Sequence, residues 1–166
     1  MDFTIRYTEK ADLPALLDIY NYEVLNGTAT FDLNPKTLND WEKWFEEHSV
    51  GNHFALSAVS DDKAVAYATL SGYREKEAYT QTTELSVYVH PDYRGHGIAT
   101  KLIEKTVEIA RERGDVHTII SVITGSNEAS LKMHEKLGFT YGGTLYQVGE
   151  KFGSLMDIVN YQLILK

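Results

Sequence analysis

The chain has 166 residues, of which 43% are hydrophobic and 24% charged, with a formal net charge of −8 and no cysteine. The length matches one domain, expected to span residues 1–166, and the acidic balance argues against nucleic-acid binding, which needs a basic surface. The missing cysteine excludes disulfides and an acyl-cysteine intermediate, and the lack of an export signal or of an apolar run of roughly 20 residues predicts a cytoplasmic protein outside the membrane.

The first half of the chain predicts one strand, two helices and a hairpin. Residues 3–7 alternate apolar and polar side chains, as a strand does, and residues 11–25 repeat apolar side chains at helical spacing. A capping pair at residues 37–40 predicts a second, short helix. Residues 53–60 and 64–72 are apolar-rich and predict the two strands of the hairpin.

The second half alternates strands with helices. Residues 82–90 are rich in β-branched and aromatic side chains and predict a strand, and residues 97–113 form an amphipathic helical pattern. Residues 116–123 are nearly all apolar, as expected of a strand covered on both faces. A helix is predicted at residues 127–137, and strand returns from Phe139 onward. This order of elements predicts a mixed sheet flanked by helices.

The turn between the strand at 82–90 and the helix at 97–113 carries an anion-binding motif, Arg94-Gly95-His96-Gly97-Ile98-Ala99. Several free backbone N–H groups lie there at the positive end of the helix. The two glycines allow close approach and positive φ, and the arginine adds a charged donor. The alternative is a tight turn whose glycines serve only its geometry. The flanking strand and helix favour a pyrophosphate site, although no Walker or Rossmann fingerprint is present.

The pattern R-x-x-G-x-A in this turn resembles the acetyl-coenzyme A motif of the GNAT superfamily. Residues 127–139 resemble its N-x-x-A-x-x-x-Y-x-K-x-G-F segment, with Ser130 in place of alanine and His134 in place of tyrosine. That histidine, together with residues 84–89, is similar to the phosphinothricin and methionine sulfoximine acetyltransferases. The resemblance implies an α/β (α+β) fold, a mixed, mostly antiparallel sheet of about seven strands with about four helices, splayed after the strand at 82–89.

The resemblance also implies an activity. We expect direct acetyl transfer from acetyl-CoA to the primary amine of a small amino-acid-like molecule, of the phosphinothricin, methionine sulfoximine or methionine sulfone type, by a homodimer. Two alternatives stay open: transfer to a peptide or protein amine, and a non-catalytic sensor of acetyl-CoA. The six histidines show no metal-ligand spacing, and no metal is expected.

Two residues are candidates for catalysis. Amine acetylation needs a base to remove a proton from the ammonium, and the resemblance assigns this role to Glu84. The alternative is a solvated or salt-bridged glutamate. His134 stands at the position of the family's usual tyrosine, where a donor would help the coenzyme A thiolate to leave. The alternative there is a histidine with a structural hydrogen bond.

The coenzyme is expected to lie along the splayed strand and the pyrophosphate turn. Backbone groups near Leu85 and Val87 would pair with the pantetheine and the thioester carbonyl, as the resemblance implies. Asn127 fits both an N-cap and a coenzyme contact. The residues assigned to the coenzyme are Val87, Tyr88, Val89, Arg94, Gly95, His96, Gly97, Ile98, Ala99, Thr100, Asn127 and Ser130.

Residues 73–79 resemble the basic and aromatic stretch that holds an amino-acid carboxylate in phosphinothricin-type enzymes. Arg74 is the main candidate, because a guanidinium holds a carboxylate through two parallel hydrogen bonds; the alternative is a mobile charged loop. The residues assigned to the acceptor are Phe31, Arg74, Lys76, Tyr79 and Tyr88.

Two further groups of residues concern packing and substrate choice. The aromatic stripe of Trp41, Trp44 and Phe45 is expected to be core or dimer interface. Specificity differences are expected from four departures from the related sequences, at Gln81, Leu85, Ser154 and Leu155.

Overall fold

The structure is a computed structural model that describes residues 1–165. Within them lie seven strands and four α-helices. The helices are α1 (Leu13–Asn26), α2 (Leu38–Glu47), α3 (Ile98–Arg113) and α4 (Glu128–Lys136). The strands are β1 (Thr4–Tyr7), β2 (Phe54–Ser60), β3 (Lys63–Gly72), β4 (Thr82–Val89), β5 (Thr118–Thr124), β6 (Thr140–Lys151) and β7 (Ser154–Ile164). The order of helices and strands is the predicted one.

The strands form one sheet in the order β1-β2-β3-β4-β5-β7-β6. All neighbours are antiparallel except β4 and β5, which run parallel. These two central strands pair only where Thr82–Glu84 meets Thr118–Ile120. Beyond Glu84 they diverge, so that within the described residues one edge of β4 has no strand partner there. The mixed, mostly antiparallel fold and the splay implied by the resemblance are confirmed.

Local signals explain most helix boundaries. Thr37 accepts a hydrogen bond from the backbone N–H of Asp40 and returns one through its own N–H to the Asp40 carboxylate, which is the predicted capping pair. Helix α3 lies between Gly97 and Gly114, whose φ angles of +76° and +74° suit glycine. Helix α1 begins two residues later than predicted, because Lys10–Asp12 form a 3-10 turn ahead of it.

The sheet has a hydrophobic core on each face. One core packs α3 against the central strands, with Leu70, Leu85 and Leu102 almost completely buried. The other packs α1 and α2 on the opposite face, around Trp41 and Tyr67. Because side chains alternate along a strand, β4 presents Leu85 to α3 and its neighbours to the α1/α2 face. Glu84 therefore lies on the α1/α2 face, where β4 and β5 separate.

None of the helices in residues 1–165 is long and apolar enough to cross a membrane.

Candidate active site

A cavity of about 420 Å³ lies where β4 meets the N-terminus of α3. We call it the coenzyme cavity. Its lining includes every residue that the sequence analysis assigned to the coenzyme except His96, which is exposed in the same turn. The assigned residues are thus brought together from three separate places: β4, the turn into α3, and the start of α4. Their contact with the coenzyme stays a prediction.

The turn has the geometry of an anion site. Gly95 and Gly97 adopt φ angles of +81° and +76°, in the left-handed region, and a Cβ at either position would meet no atom within 4 Å. The glycines are therefore required by the backbone conformation rather than by crowding. The first intrahelical bond of α3 runs from the N–H of Lys101 to the carbonyl of Gly97. The N–H groups ahead of Lys101 have no helical acceptor and are available to a phosphate.

Arg94 has partners within the protein. Its Nε donates to the Val89 carbonyl at 3.3 Å, and one Nη donates to a carboxylate oxygen of Glu23 at 3.2 Å. Glu23 is buried, and its other carboxylate oxygen accepts from the backbone N–H of Ala29 at 3.1 Å. The guanidinium is thus oriented before any ligand arrives, and it keeps further N–H groups for a phosphate. No motif in the sequence identifies Glu23 as a partner of this turn.

A small cavity of about 60 Å³ occupies the splay between β4 and β5, next to the coenzyme cavity. Its lining combines Leu85 to Tyr88 of β4 with Ser121 to Thr124 of β5, and Asn127, Ser130 and His134 close one side. The unpaired edge of β4 can hydrogen-bond an extended ligand as an added strand would. Asn127 accepts from the N–H of Ser130 at 3.3 Å, so the N-cap interpretation holds.

His134 is buried between α4 and β5, with 2% of its surface exposed. Its Nδ1 lies 2.8 Å from the Ser130 carbonyl oxygen, and its Nε2 lies 2.9 Å from the Ser121 hydroxyl. Because a carbonyl can only accept, Nδ1 carries the proton. Burial lowers the pKa of His134 and favours the neutral ring, whose Nε2 then accepts from Ser121. Both nitrogens therefore have protein partners, and a catalytic role for His134 stays a prediction.

Glu84 is half-buried on β4, and burial raises the pKa of its carboxyl group. It lines two cavities on the α1/α2 face of the sheet, one of about 470 Å³ and one of about 200 Å³. Ser86 and Tyr88, on the same face of β4, line both of these cavities and also the small cavity in the splay. The candidate base thus stands where the space for an acceptor meets the space for the coenzyme.

The larger of the two cavities, which we call the aromatic cavity, has walls from α1, α2, β3 and β4. Its aromatic side chains are Tyr20, Trp41, Trp44, Tyr67 and Tyr88. Trp41 is 3% exposed, so the prediction of a core position is right for that residue. The cavity was missed, because the spacing of the stripe shows only that one face of α2 is apolar.

The smaller cavity lies beside loop 28–32, between α1 and α2, and its lining includes Phe31, whose contact with the acceptor stays a prediction. This loop is held by buried contacts. The ammonium group of Lys151, 2% exposed, donates to the Thr30 carbonyl at 2.9 Å and to the Glu23 carbonyl at 3.3 Å. A Cβ on Gly149 would lie 2.4 Å from the Phe31 ring, so the ring packs directly on the backbone of β6. The spacing of residues around Lys151 gives no sign that this lysine is buried.

Arg74, Lys76 and Tyr79 line another cavity, of about 500 Å³, next to the residues that precede β2. The guanidinium of Arg74 lies over the rings of Tyr73 and Tyr79, at 5.1 and 5.8 Å from their centroids. This lining shares no residue with the linings around Glu84. Within one chain the structure does not bring Arg74 to the candidate base, and its acceptor role stays a prediction.

No group of three histidine, aspartate or glutamate side chains in residues 1–165 could hold a metal ion.

Comparison with known proteins agrees with this geometry. The profile of the acetyltransferase (GNAT) family matches residues 17–139. The chain is 36% identical to the L-methionine sulfoximine/L-methionine sulfone acetyltransferase of Pseudomonas aeruginosa, over 99% of this chain and 96% of that one. It is 34% identical to the phosphinothricin N-acetyltransferase of Streptomyces coelicolor, over 95% and 94%. Among solved structures it resembles a putative acetyltransferase from Salmonella typhimurium with its cofactor acetyl-CoA, at a TM-score of 0.95 and 33% identity, over 99% and 94%.

Proposed function

The chain belongs to the GNAT family of acetyltransferases and uses acetyl-CoA as its cosubstrate, and we propose that it acetylates the primary amine of a small amino-acid-like molecule. Relatives named for methionine sulfoximine, methionine sulfone and phosphinothricin match nearly the whole chain and support this substrate class. One observation of the site carries the proposal. Glu84 lines the cavities on the α1/α2 face, directly beside the splay of β4 and β5.

In the proposed mechanism Glu84 removes a proton from the substrate ammonium, because only a neutral amine attacks a carbonyl. Burial raises the pKa of Glu84 and makes the carboxylate a better proton acceptor than an exposed glutamate. The amine nitrogen bonds to the thioester carbon and loses its second proton as the C–S bond breaks. Coenzyme A leaves as the thiolate, which takes up a proton, and no acyl-enzyme forms. A backbone N–H on the free edge of β4, near Leu85 or Val87, stabilises the oxyanion.

The experiment that tests this proposal is a thiol-release assay with purified protein and acetyl-CoA. Methionine sulfoximine, methionine sulfone and phosphinothricin are compared with a short peptide that carries a free N-terminal amine and a lysine. We expect thiol release with at least one of the amino-acid-like amines. Turnover of the peptide alone would favour the protein-amine alternative, and coenzyme binding without turnover of any amine would contradict the proposal.

We also propose that the protein is a homodimer, as expected from the resemblance. The support is a group of exposed apolar side chains on β6, β7 and the turn that joins them: Tyr141, Leu145, Tyr146, Val148, Phe152 and Leu155. Exposed apolar groups of this kind mark interfaces. Sedimentation analysis should give twice the 18.8 kDa chain mass, and a monomer across the micromolar range would contradict the proposal. The cytoplasmic location stays a prediction.

A further inference from the structure

We infer that the aromatic cavity binds an apolar or aromatic side chain of the acceptor, and that it disfavours an acceptor with a second anionic group. This inference rests on the proposed function, since it assumes that the amine reaches Glu84. The cavity volume of about 470 Å³ is in the range of sites that enclose small ligands.

The aromatic rings form a continuous wall. Trp41 and Trp44 stack with their ring centroids 4.1 Å apart, and Tyr67 meets both of them edge-on at 5.5 and 5.7 Å. Tyr88 then lies 5.4 Å from Tyr67 and 5.4 Å from Tyr20. Trp41 and Tyr67 are 3% and 2% exposed, so they support the wall from behind, and its accessible surface comes from the partly exposed rings of Tyr20, Trp44 and Tyr88. Since these rings are held by the buried ones, an apolar side chain gains contact area there at little cost in ordering the protein.

The charges of the same cavity are unfavourable for an anion. Asp32, Asp40 and Glu84 contribute three carboxyl groups, and among residues 1–165 Lys36 is the one cation in the lining. The ammonium of Lys36 already lies 3.7 Å from the Asp32 carboxylate. The surplus of negative charge attracts an ammonium group and repels a phosphinate or a side-chain carboxylate.

A histidine in the wall does not change this balance. His48 is buried at the end of α2, with Nδ1 at 2.6 Å from the Trp44 carbonyl and Nε2 at 2.7 Å from the Ser71 hydroxyl. Burial lowers the pKa of His48 and keeps the ring neutral. Its Nδ1 proton is used by the carbonyl, so Nε2 accepts from Ser71 and offers no donor to an anion. The guanidinium of Arg74 lies in a different cavity.

The test compares kcat/KM for phenylalanine, tryptophan and methionine with that for glutamate and phosphinothricin, at saturating acetyl-CoA. We expect the apolar amino acids to be preferred by on the order of tenfold or more, the discrimination that pocket contacts give. A preference for phosphinothricin or glutamate would overturn the inference. Thiol release with methionine sulfoximine or methionine sulfone, but with none of the three apolar amino acids, would also overturn the inference. If none of these amines released thiol, the proposed function itself would fail, so the two failures are distinguishable.

Two variants test which residues of the aromatic cavity cause the preference for apolar acceptors. Trp44→Leu removes part of the wall and should lower kcat/KM for tryptophan and phenylalanine by about tenfold while changing methionine less. Asp40→Asn removes one carboxylate at an exposed position and should raise the ratio of phosphinothricin to phenylalanine. The KM for acetyl-CoA and the melting temperature report whether each variant is folded. Equal losses for every acceptor with Trp44→Leu, in a folded protein, would show that the wall is only structural.

Discussion

Replacement of Glu84 by glutamine tests the proposed base directly. Glutamine keeps the size of the side chain and removes its ability to take a proton at neutral pH. A positioned general base contributes about 10²–10⁴ in rate, so kcat should fall by that factor, which corresponds to about 2.7–5.5 kcal/mol of activation free energy. Glu84 does not line the coenzyme cavity, and acetyl-CoA affinity should therefore stay within about twofold of that of the unchanged protein.

The same substitution should also change how kcat/KM depends on pH. Burial raises the pKa of Glu84, so the carboxylate is lost at a higher pH than for an ordinary glutamate. The kcat/KM of the wild-type protein should fall as the pH decreases through this raised pKa. The variant should lack that acidic limb, because residue 84 no longer carries a carboxyl group that titrates.

The substitution should also change stability, with a sign fixed by the direction of the pKa shift. Glu84 has a higher pKa in the folded chain than in the unfolded chain, so the folded state resists its ionisation. Stability is lost as the pH rises from the unfolded pKa through the folded one. Glu84→Gln should therefore be more stable than wild type near neutral pH, and the difference should disappear below the pKa of an ordinary glutamate.

Three measurements decide the matter: thiol release, calorimetric titration with acetyl-CoA, and thermal melts at acidic and neutral pH. Glu112→Gln on the exposed face of α3 is the matched control and should change none of them. A Glu84→Gln protein that binds acetyl-CoA and turns over at the wild-type rate would show that Glu84 is not the base. A stability gain without loss of activity would mean that Glu84 is buried but does not act as the base.

Three further substitutions probe other parts of the site. Ser121→Ala leaves Nε2 of His134 without its donor. The free energy of unfolding, measured with denaturant, should fall by about 1–3 kcal/mol. A lower kcat at unchanged acetyl-CoA KM would support a role for His134 at the leaving group. Gly97→Ala places a residue with a Cβ in the left-handed region of the backbone. The free energy of unfolding should fall by about 1–2 kcal/mol, and the KM for acetyl-CoA should rise. Gly149→Ala places a methyl group against the Phe31 ring. The free energy of unfolding should fall by about 1–3 kcal/mol, and the KM for the acceptor should change.

The coenzyme half of the site was accessible from the sequence because its signals are local. A helix that begins after Gly97 must leave its first N–H groups free, whatever lies elsewhere in the chain. The strand before the turn and the helix after it are both predicted by periodicity. The splay of β4 and β5 has no such signal. It depends on pairing that stops at Glu84, and only the resemblance to a family implied it.

The acceptor half of the site depends on contacts between residues that are distant in the sequence. Hydrophobic periodicity does not predict such contacts. The stripe of Trp41 and Trp44 indicates an apolar face, and only the positions of Tyr67 and Tyr88 on the sheet decide that this face also borders a cavity. Lys151 appears in the sequence as an ordinary charged residue. It is buried because β6 passes beneath loop 28–32, so that its ammonium group meets the Thr30 carbonyl 121 positions earlier in the chain.

Arg94 has a structural contact with Glu23 that the turn motif does not predict. The turn motif assigns Arg94 to the pyrophosphate, yet the structure also joins it to the carboxylate of Glu23. The same carboxylate accepts from Ala29, and the Glu23 carbonyl accepts from Lys151. One buried residue of α1 thus connects the pyrophosphate turn with the loop that carries Phe31. Because a buried carboxylate needs hydrogen-bond partners, the two contacts of Glu23 explain why a charged residue is found on the inner side of α1.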